Sequence, residues 1–182
     1  MSTSQTGTQR RPAVFLDRDG VLNVDRHYVS EPERFEWIPG AREAVRWLNE
    51  LGYLVIVITN QSGVARGYFP ESAVHALHGW VDGELAPLDA HVDAYYHCPH
   101  LPDGTVPEYT QICDCRKPAP GMILQALADW PVDRERSFLV GDSPRDVEAA
   151  ERAGIKGYLF TGGNLLDTIR TLISEQENGE NP

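Results

Sequence analysis

Basic residues are in short supply in this chain: 16 Lys and Arg stand against 27 Asp and Glu, a formal net charge of -11. A surface that grips duplex nucleic acid neutralises phosphates with clustered cations, so no nucleic-acid partner is expected. An acidic protein that acts on an anion must instead concentrate positive charge locally, through a metal or a few basic side chains. Long apolar runs are missing as well. Residues 1–10 lack the apolar stretch of a secretory signal, and no later segment approaches the ~18 apolar residues of a membrane span. The expectation is a soluble, cytoplasmic protein with no membrane partner. Cysteine is limited to three residues, all between Cys98 and Cys115. An odd number in one short stretch suits a metal site in a reducing compartment better than a disulfide framework.

What is present reads as one compact domain, since 182 residues, 41% of them hydrophobic, fall within the size of a single core. Short β-rich apolar runs alternate with segments of helical period. The runs are Ala13-Val14-Phe15-Leu16, Tyr53 to Ile58, Val92 to His97, Ser137-Phe138-Leu139-Val140 and Tyr158-Leu159-Phe160. Helices are expected at about 39–52, 71–85, 121–130, 144–153 and 165–173. The first carries Ala41, Ala44, Val45, Leu48 and Leu51 on one face, with Gly52 as a stop. This alternation predicts an α/β fold, a Rossmann-like, doubly wound and mainly parallel sheet, over residues 11–173. Residues 1–10 and 174–182 are polar enough to be loose tails.

In open α/β sheets ligands bind beyond the carboxyl ends of the strands. Here the first strand runs into Asp17-Arg18-Asp19-Gly20, the second into Thr59-Asn60-Gln61-Ser62, and a later one into Gly141-Asp142-Ser143-Pro144-Arg145-Asp146. Each Asp taken alone could be a turn or cap residue. Several carboxylates converging in one crevice are costly unless a cation binds there, and Mg²⁺ is the usual choice beside a phosphate.

Asp17-x-Asp19-Gly, Thr59, Lys117 and Gly141-Asp142-x-x-x-Asp146 together resemble, in order, the four motifs of haloacid dehalogenase superfamily phosphatases. The resemblance implies that Asp17 attacks phosphorus, and that Asp19 protonates the leaving oxygen and later deprotonates water. It further implies Mg²⁺ held by Asp17, the Asp19 carbonyl and Asp142. Thr59 and the following backbone N–H groups would bind phosphoryl oxygens, and Lys117 would offset their charge. Asp146 would orient Lys117 or a metal-bound water, unless it is merely an exposed first-turn acid.

Cys98-Pro99-His100 and, further along, Cys113-Asp114-Cys115 supply three thiols and an imidazole at spacings compatible with tetrahedral Zn²⁺. A filled Cys₃His set leaves no open position, so this zinc would be structural and would help place Lys117 just beyond it. His97 could compete with His100 as the fourth ligand, but His100 is favoured because adjacency to Cys98 gives His97 poorer geometry. His27, His75, His78 and His91 have no metal-type neighbours and read as surface or packing residues.

The segments between Asp19 and Thr59 and between Thr59 and Lys117 are already filled by helix, strand and zinc loop. No room remains for a large cap, so selection falls to the loops 23–39, 61–70 and the zinc loop. These loops bring a closer resemblance: Asp17 to Asp25, Thr59 to Phe69 and Cys98 to Pro118 look like D-glycero-D-manno-heptose 1,7-bisphosphate 7-phosphatases. That family makes heptose 1-phosphate, a precursor of nucleotide-activated heptose for lipopolysaccharide and other cell-surface glycans. The resemblance implies a small sugar bisphosphate as partner; a monomer is the default expectation. It implies sugar contacts from Asp25, Arg26, His27 and Tyr28, phosphate contacts from Thr59, Asn60, Gln61, Ser62 and Lys117, and Arg116 on the second phosphate. A planar guanidinium suits bidentate phosphate binding independently. Two positions depart from the family pattern. Ser143 stands where Lys is frequent, and Arg26-His27-Tyr28 where His-Gly-Tyr is familiar. The first removes a positive charge near the phosphate and the second alters the sugar-facing edge.

Histidinol-phosphate phosphatase, from the same zinc-loop subfamily, is the nearest rival, yet its cationic substrate should want acidic recognition residues where this chain offers Arg26, Arg66 and Arg116. A polynucleotide phosphatase is disfavoured by the acidic balance. A silent, zinc-stabilised phosphate-binding module is disfavoured by the intact Asp17, Asp19, Lys117 and Asp142.

Overall fold

The computed structural model describes residues 9–179. Residues 1–8 and 180–182, on which parts of the two expected tails fall, lie outside them. Five strands, β1 (Arg11–Leu16), β2 (Leu54–Asn60), β3 (Ala94–Cys98), β4 (Val132–Gly141) and β5 (Lys156–Leu159), form one sheet in the order β3-β2-β1-β4-β5. Every ladder in it is parallel. The connections carry α1 (Ala41–Glu50), α2 (Glu71–Leu85), α3 (Gly121–Asp129) and α4 (Pro144–Arg152), and α5 (Leu165–Gly179) follows β5.

The sheet is buried on both faces, which is why its strands read as continuous apolar runs with a hidden alternation. Val14, Leu16, Val55, Val57, Phe138 and Val140 point to one face and pack with α1, α2 and α5. Ala13, Phe15, Leu54, Ile56, Ile58 and Leu139 point to the other and pack with α3 and α4. Truncating a fully buried ring such as Phe15 or Phe138 would cost about 3–5 kcal/mol.

Most boundaries fall within about two residues of the expectation, and two differ by more. β4 starts at Val132, five residues before Ser137, because the polar run Asp133-Arg134-Glu135-Arg136 conceals it. That run interrupts the ladder with β1, and the Ser137 hydroxyl accepts the Ala13 N–H at 2.8 Å to repair the gap. α5 continues to Gly179 instead of stopping at Ile173, so the proposed tail 174–182 begins within the helix. Its last turns are polar, but Glu and Gln are good helix formers.

β1 is central, with β2 on one side and β4 on the other, so chain connectivity reverses at its carboxyl end. Asp17 follows β1 directly and its N–H donates to Val140 O at 3.1 Å, level with the end of β4. The crevice therefore opens where Asp17, Thr59 and Asp142 emerge.

Candidate active site

The floor of the crevice is a buried ion-pair cluster. Lys117 Nζ lies 2.9 Å from Asp17 Oδ1 and 2.7 Å from Asp146 Oδ1, and donates to Ile58 O at 3.1 Å. Asp17, Lys117 and Asp146 are all buried. Asp146 is no exposed helix acid: its Oδ2 accepts the Ser143 N–H at 3.0 Å in a capping box at the start of α4. It thus fixes the helix and orients Lys117 together.

Burial pushes the Asp17 carboxyl up to about 7, against the pull of Lys117 and with the push of Asp146. Asp142 is raised likewise, by burial and by the Asp146 and Asp25 carboxylates. Burial acts to lower Lys117, but Asp17 and Asp146 outweigh it and hold the ammonium above its ordinary range. One ammonium among several acids leaves the floor short of positive charge.

The carboxylate oxygens of Asp17, Asp142 and Asp146 come within 4.8 Å of one another. Gly20, at φ 89°, brings the Asp-x-Asp-Gly turn so close to Asp142 that a Cβ there would sit 2.1 Å from its Oδ2. Only glycine permits this approach. The donor set, all hard oxygen, fits a small divalent cation.

Asp19 sits beside this floor, held from three directions. Its Oδ2 pairs with Arg18 Nη2 and accepts Gln61 Nε2, each at 2.9 Å, while Oδ1 accepts Asn23 Nδ2 at 3.0 Å. Gln61 also donates to Thr59 Oγ1 at 2.8 Å, leaving the buried Thr59 hydroxyl hydrogen free to donate elsewhere. Asn60 bridges to the Lys117 backbone in both directions, at 3.0 and 3.1 Å. Asn60 and Gln61 therefore brace the site as well as line it.

The cleft above the floor, about 280 Å³, is lined by Asp17, Lys117 and the acids and amides around them, and at its mouth by Asp25, His27, Tyr28, Ser62, Arg66, Arg116 and Arg145. Arg26 is not among them. Its exposed side chain turns away and pairs with Glu36, so its expected sugar contact is not supported by its placement. Residue-by-residue reading also passed over Arg18 and Arg145. Arg18 is 1% exposed, and its Nη2 donates to Val29 O at 2.7 Å, tying the loop after Asp25 to the Asp-x-Asp-Gly turn. A variable position between two aspartates gives no sign of that. Arg145 had one legible sign: a cation in the first turn of a helix opposes the dipole.

Cys98, His100, Cys113 and Cys115 converge as their spacing suggests. Cys115 Sγ lies 2.7 Å from Cys98 Sγ, 3.3 Å from Cys113 Sγ and 3.3 Å from His100 Nδ1. The contact between Cys98 and Cys115 lowers the Cys115 thiol and, together with burial, raises Cys98. The cluster could hold a metal ion through these four side chains. His97 points elsewhere, its Nε2 2.7 Å from Glu71 Oε1.

A family model described as HAD-hydrolase-like matches residues 114–176. The chain is 51% identical over 168 residues to the D-glycero-β-D-manno-heptose-1,7-bisphosphate 7-phosphatase of Rhodopseudomonas palustris, spanning 92% of this chain and 93% of that protein. It is 48% identical over 167 residues to the protein of the same name from Escherichia coli K12, spanning 92% and 85%. Among solved structures it is similar to the D,D-heptose 1,7-bisphosphate phosphatase from B. bronchiseptica complexed with magnesium and phosphate. There the TM-score is 0.75 at 34% identity, over 92% of this chain and 97% of that one.

Proposed function

Since the chain belongs to the D-glycero-β-D-manno-heptose-1,7-bisphosphate 7-phosphatase family of haloacid-dehalogenase-like hydrolases, we propose that it hydrolyses the 7-phosphate of the β-anomer. The product would be heptose 1-phosphate, for nucleotide-activated heptose and cell-surface glycans. One observation carries the reading beyond the relatives' names: a single cleft combines a carboxylate–lysine floor with three arginines, Arg66, Arg116 and Arg145. Such a cleft suits a substrate with two anionic ends, and suits the cationic amine of histidinol phosphate poorly.

In the first step an Asp17 carboxylate oxygen forms a bond to phosphorus as the ester bond to the sugar O7 breaks, and Asp19 gives its proton to that oxygen. In the second, Asp19 takes a proton from water, whose oxygen bonds to phosphorus. Asp17 is regenerated and inorganic phosphate leaves. Lys117, fixed by Asp146, balances the phosphoryl charge, while Thr59 and the backbone N–H groups after it hold the oxygens in place. Asp17, Asp142 and the Asp19 carbonyl would hold Mg²⁺, which supplies charge neutralisation on the phosphoryl oxygens. Zn²⁺ in the cysteine cluster would be structural and would anchor the segment that delivers Arg116 and Lys117. No helix among the described residues is long and apolar enough to cross a membrane. A cytoplasmic, monomeric enzyme working as one domain, from residue 11 through the end of α5, fits this reading.

The test is phosphate release, with Mg²⁺, from α- and β-heptose 1,7-bisphosphate and histidinol phosphate, with Asp17→Asn as the blank. The β-anomer should lead in kcat/KM by at least about a hundredfold, roughly 2.7 kcal/mol of transition-state discrimination. A lead for histidinol phosphate would keep the chemistry and discard the substrate.

A further inference from the structure

A second group of metal-type side chains lies outside the active site and the cysteine cluster. Glu71 opens α2, and His75 follows four residues later on the same face of the helix, the spacing at which two side chains on a helix meet. His97 reaches them from β3. Side chains alternate along a strand, so Tyr96 and Cys98 face α3 and the cysteine cluster, while Tyr95 and His97 face α2. His97 Nε2 lies 2.7 Å from Glu71 Oε1, and the His75 and His97 rings meet edge-on with centroids 5.0 Å apart. One ligand atom from each of the three residues comes within 4.8 Å of the other two.

We propose that Glu71, His75 and His97 form a second metal site, which takes a divalent transition ion such as Zn²⁺ and clips the edge strand β3 to α2. Two imidazoles and one carboxylate favour zinc and its neighbours over Mg²⁺ or Ca²⁺, which prefer all-oxygen sets. The other Glu71 oxygen, Oε2, accepts the Tyr109 hydroxyl at 3.0 Å. An outer hydrogen bond of this kind orients a ligating carboxylate and is characteristic of metal sites. Access is graded: the His97 side chain is 12% exposed, Glu71 33%, and His75 lies open to solvent. The ion would enter from the His75 side and complete its shell there with water. A Glu71–His97 pair alone would leave His75 without a role in the cluster.

The consequence is architectural. β3 ends in adjacent residues that face opposite ways, His97 toward this site and Cys98 toward the cysteine cluster. Because Tyr109 belongs to the loop between His100 and Cys113, both metals would bear on the segment that leads to Arg116 and Lys117. The second site would make the placement of that loop responsive to free transition metal, a property the phosphatase reading does not require.

Untagged protein carrying one zinc by elemental analysis is titrated with Zn²⁺ by calorimetry, with Mg²⁺ in excess to occupy the aspartate site. One further equivalent should bind, and His75→Ala and Glu71→Gln should each weaken it at least about tenfold, while His91→Ala leaves it unchanged. His75 and His91 are both exposed, so neither alanine variant puts folding at risk. With Cu²⁺ in place of added Zn²⁺, the electron paramagnetic resonance spectrum should show coupling to two nitrogens, reduced to one in His75→Ala. Absence of a further equivalent, or one that His75→Ala and Glu71→Gln leave unaltered, overturns the proposal. Both results are independent of which phosphate ester the enzyme hydrolyses.

Discussion

The floor and the rim of the cleft are built by different rules. The charged groups at and beside the floor are held from several sides: Lys117 by Asp17, Asp146 and Ile58 O, and Asp19 by Arg18, Gln61 and Asn23. Asp17 and Asp19 follow β1 and Thr59 lies at the end of β2, in a sheet buried on both faces, while Lys117 comes from the loop before α3 and Asp146 from the first turn of α4. The rim is loop. Asp25, Arg26, His27 and Tyr28 are all exposed, and His27 and Tyr28 sit at φ 54° and 55°. What holds them is a side chain from outside the cleft: Arg34 donates to the carbonyls of Arg26 and His27 at 2.7 and 3.0 Å. The difference separates two tasks. Phosphoryl transfer needs charges held still in a low-dielectric setting, whereas choosing the sugar needs only adaptable groups at the mouth.

If that division is right, substitutions on the floor should damage chemistry and those on the rim should damage recognition. The largest effect is expected from Asp17→Asn, which removes the proposed nucleophile and should lower kcat by at least about 10⁴-fold. Its thermal midpoint should be no lower than that of the wild type, because burial already disfavours the charged carboxylate. A lowered midpoint would show that Asp17 is structural as well. Lys117→Met should behave differently, since it leaves Asp17 and Asp146 buried without their cation. Breaking a buried pair in this way costs about 3–5 kcal/mol, to be read by denaturant unfolding, and kcat should fall as well. Arg116→Ala, on the rim, should leave stability within about 0.5 kcal/mol and raise KM for the bisphosphate about 10- to 100-fold with a smaller change in kcat. A sugar carrying only the 7-phosphate should barely notice the loss. Equal losses on both substrates would place Arg116 on the floor.

The same division explains what could be read from the chain alone. Floor residues announce themselves because strand ends are legible from apolar runs, and Asp, Thr and Asp at three strand ends are restricted to few roles. The cysteine cluster is legible because each of its four side chains is a residue type with little other reason to gather. Rim and bracing residues are not, because their roles depend on partners far along the chain. Arg26 looks like a substrate contact until Glu36, ten residues on, claims it. Arg18 looks like a spacer, yet the fold buries it to reach Val29 O. His75 and His97 become neighbours only because α2 lies against one face of β3, a packing choice no periodicity encodes. The first half of β4 is hidden by a polar run that the sheet tolerates at an irregularity.

The smallest expected effect tests whether the rim's shape is itself selected. A non-glycine residue in the left-handed region is strained by about 1 kcal/mol, and His27 accepts that strain while lining the cleft. Its N–H is held by Asp25 Oδ1 at 2.8 Å, so the turn is locally braced. His27→Gly should therefore relieve strain, raising stability by up to about 1 kcal/mol, while KM rises because the imidazole is gone. His27→Ala removes the same imidazole but keeps the strain, so the two variants should share a KM and differ in stability. If they share stability but differ in KM, backbone shape rather than the imidazole is what the sugar meets at this edge, and the rim is more rigid than its exposure implies.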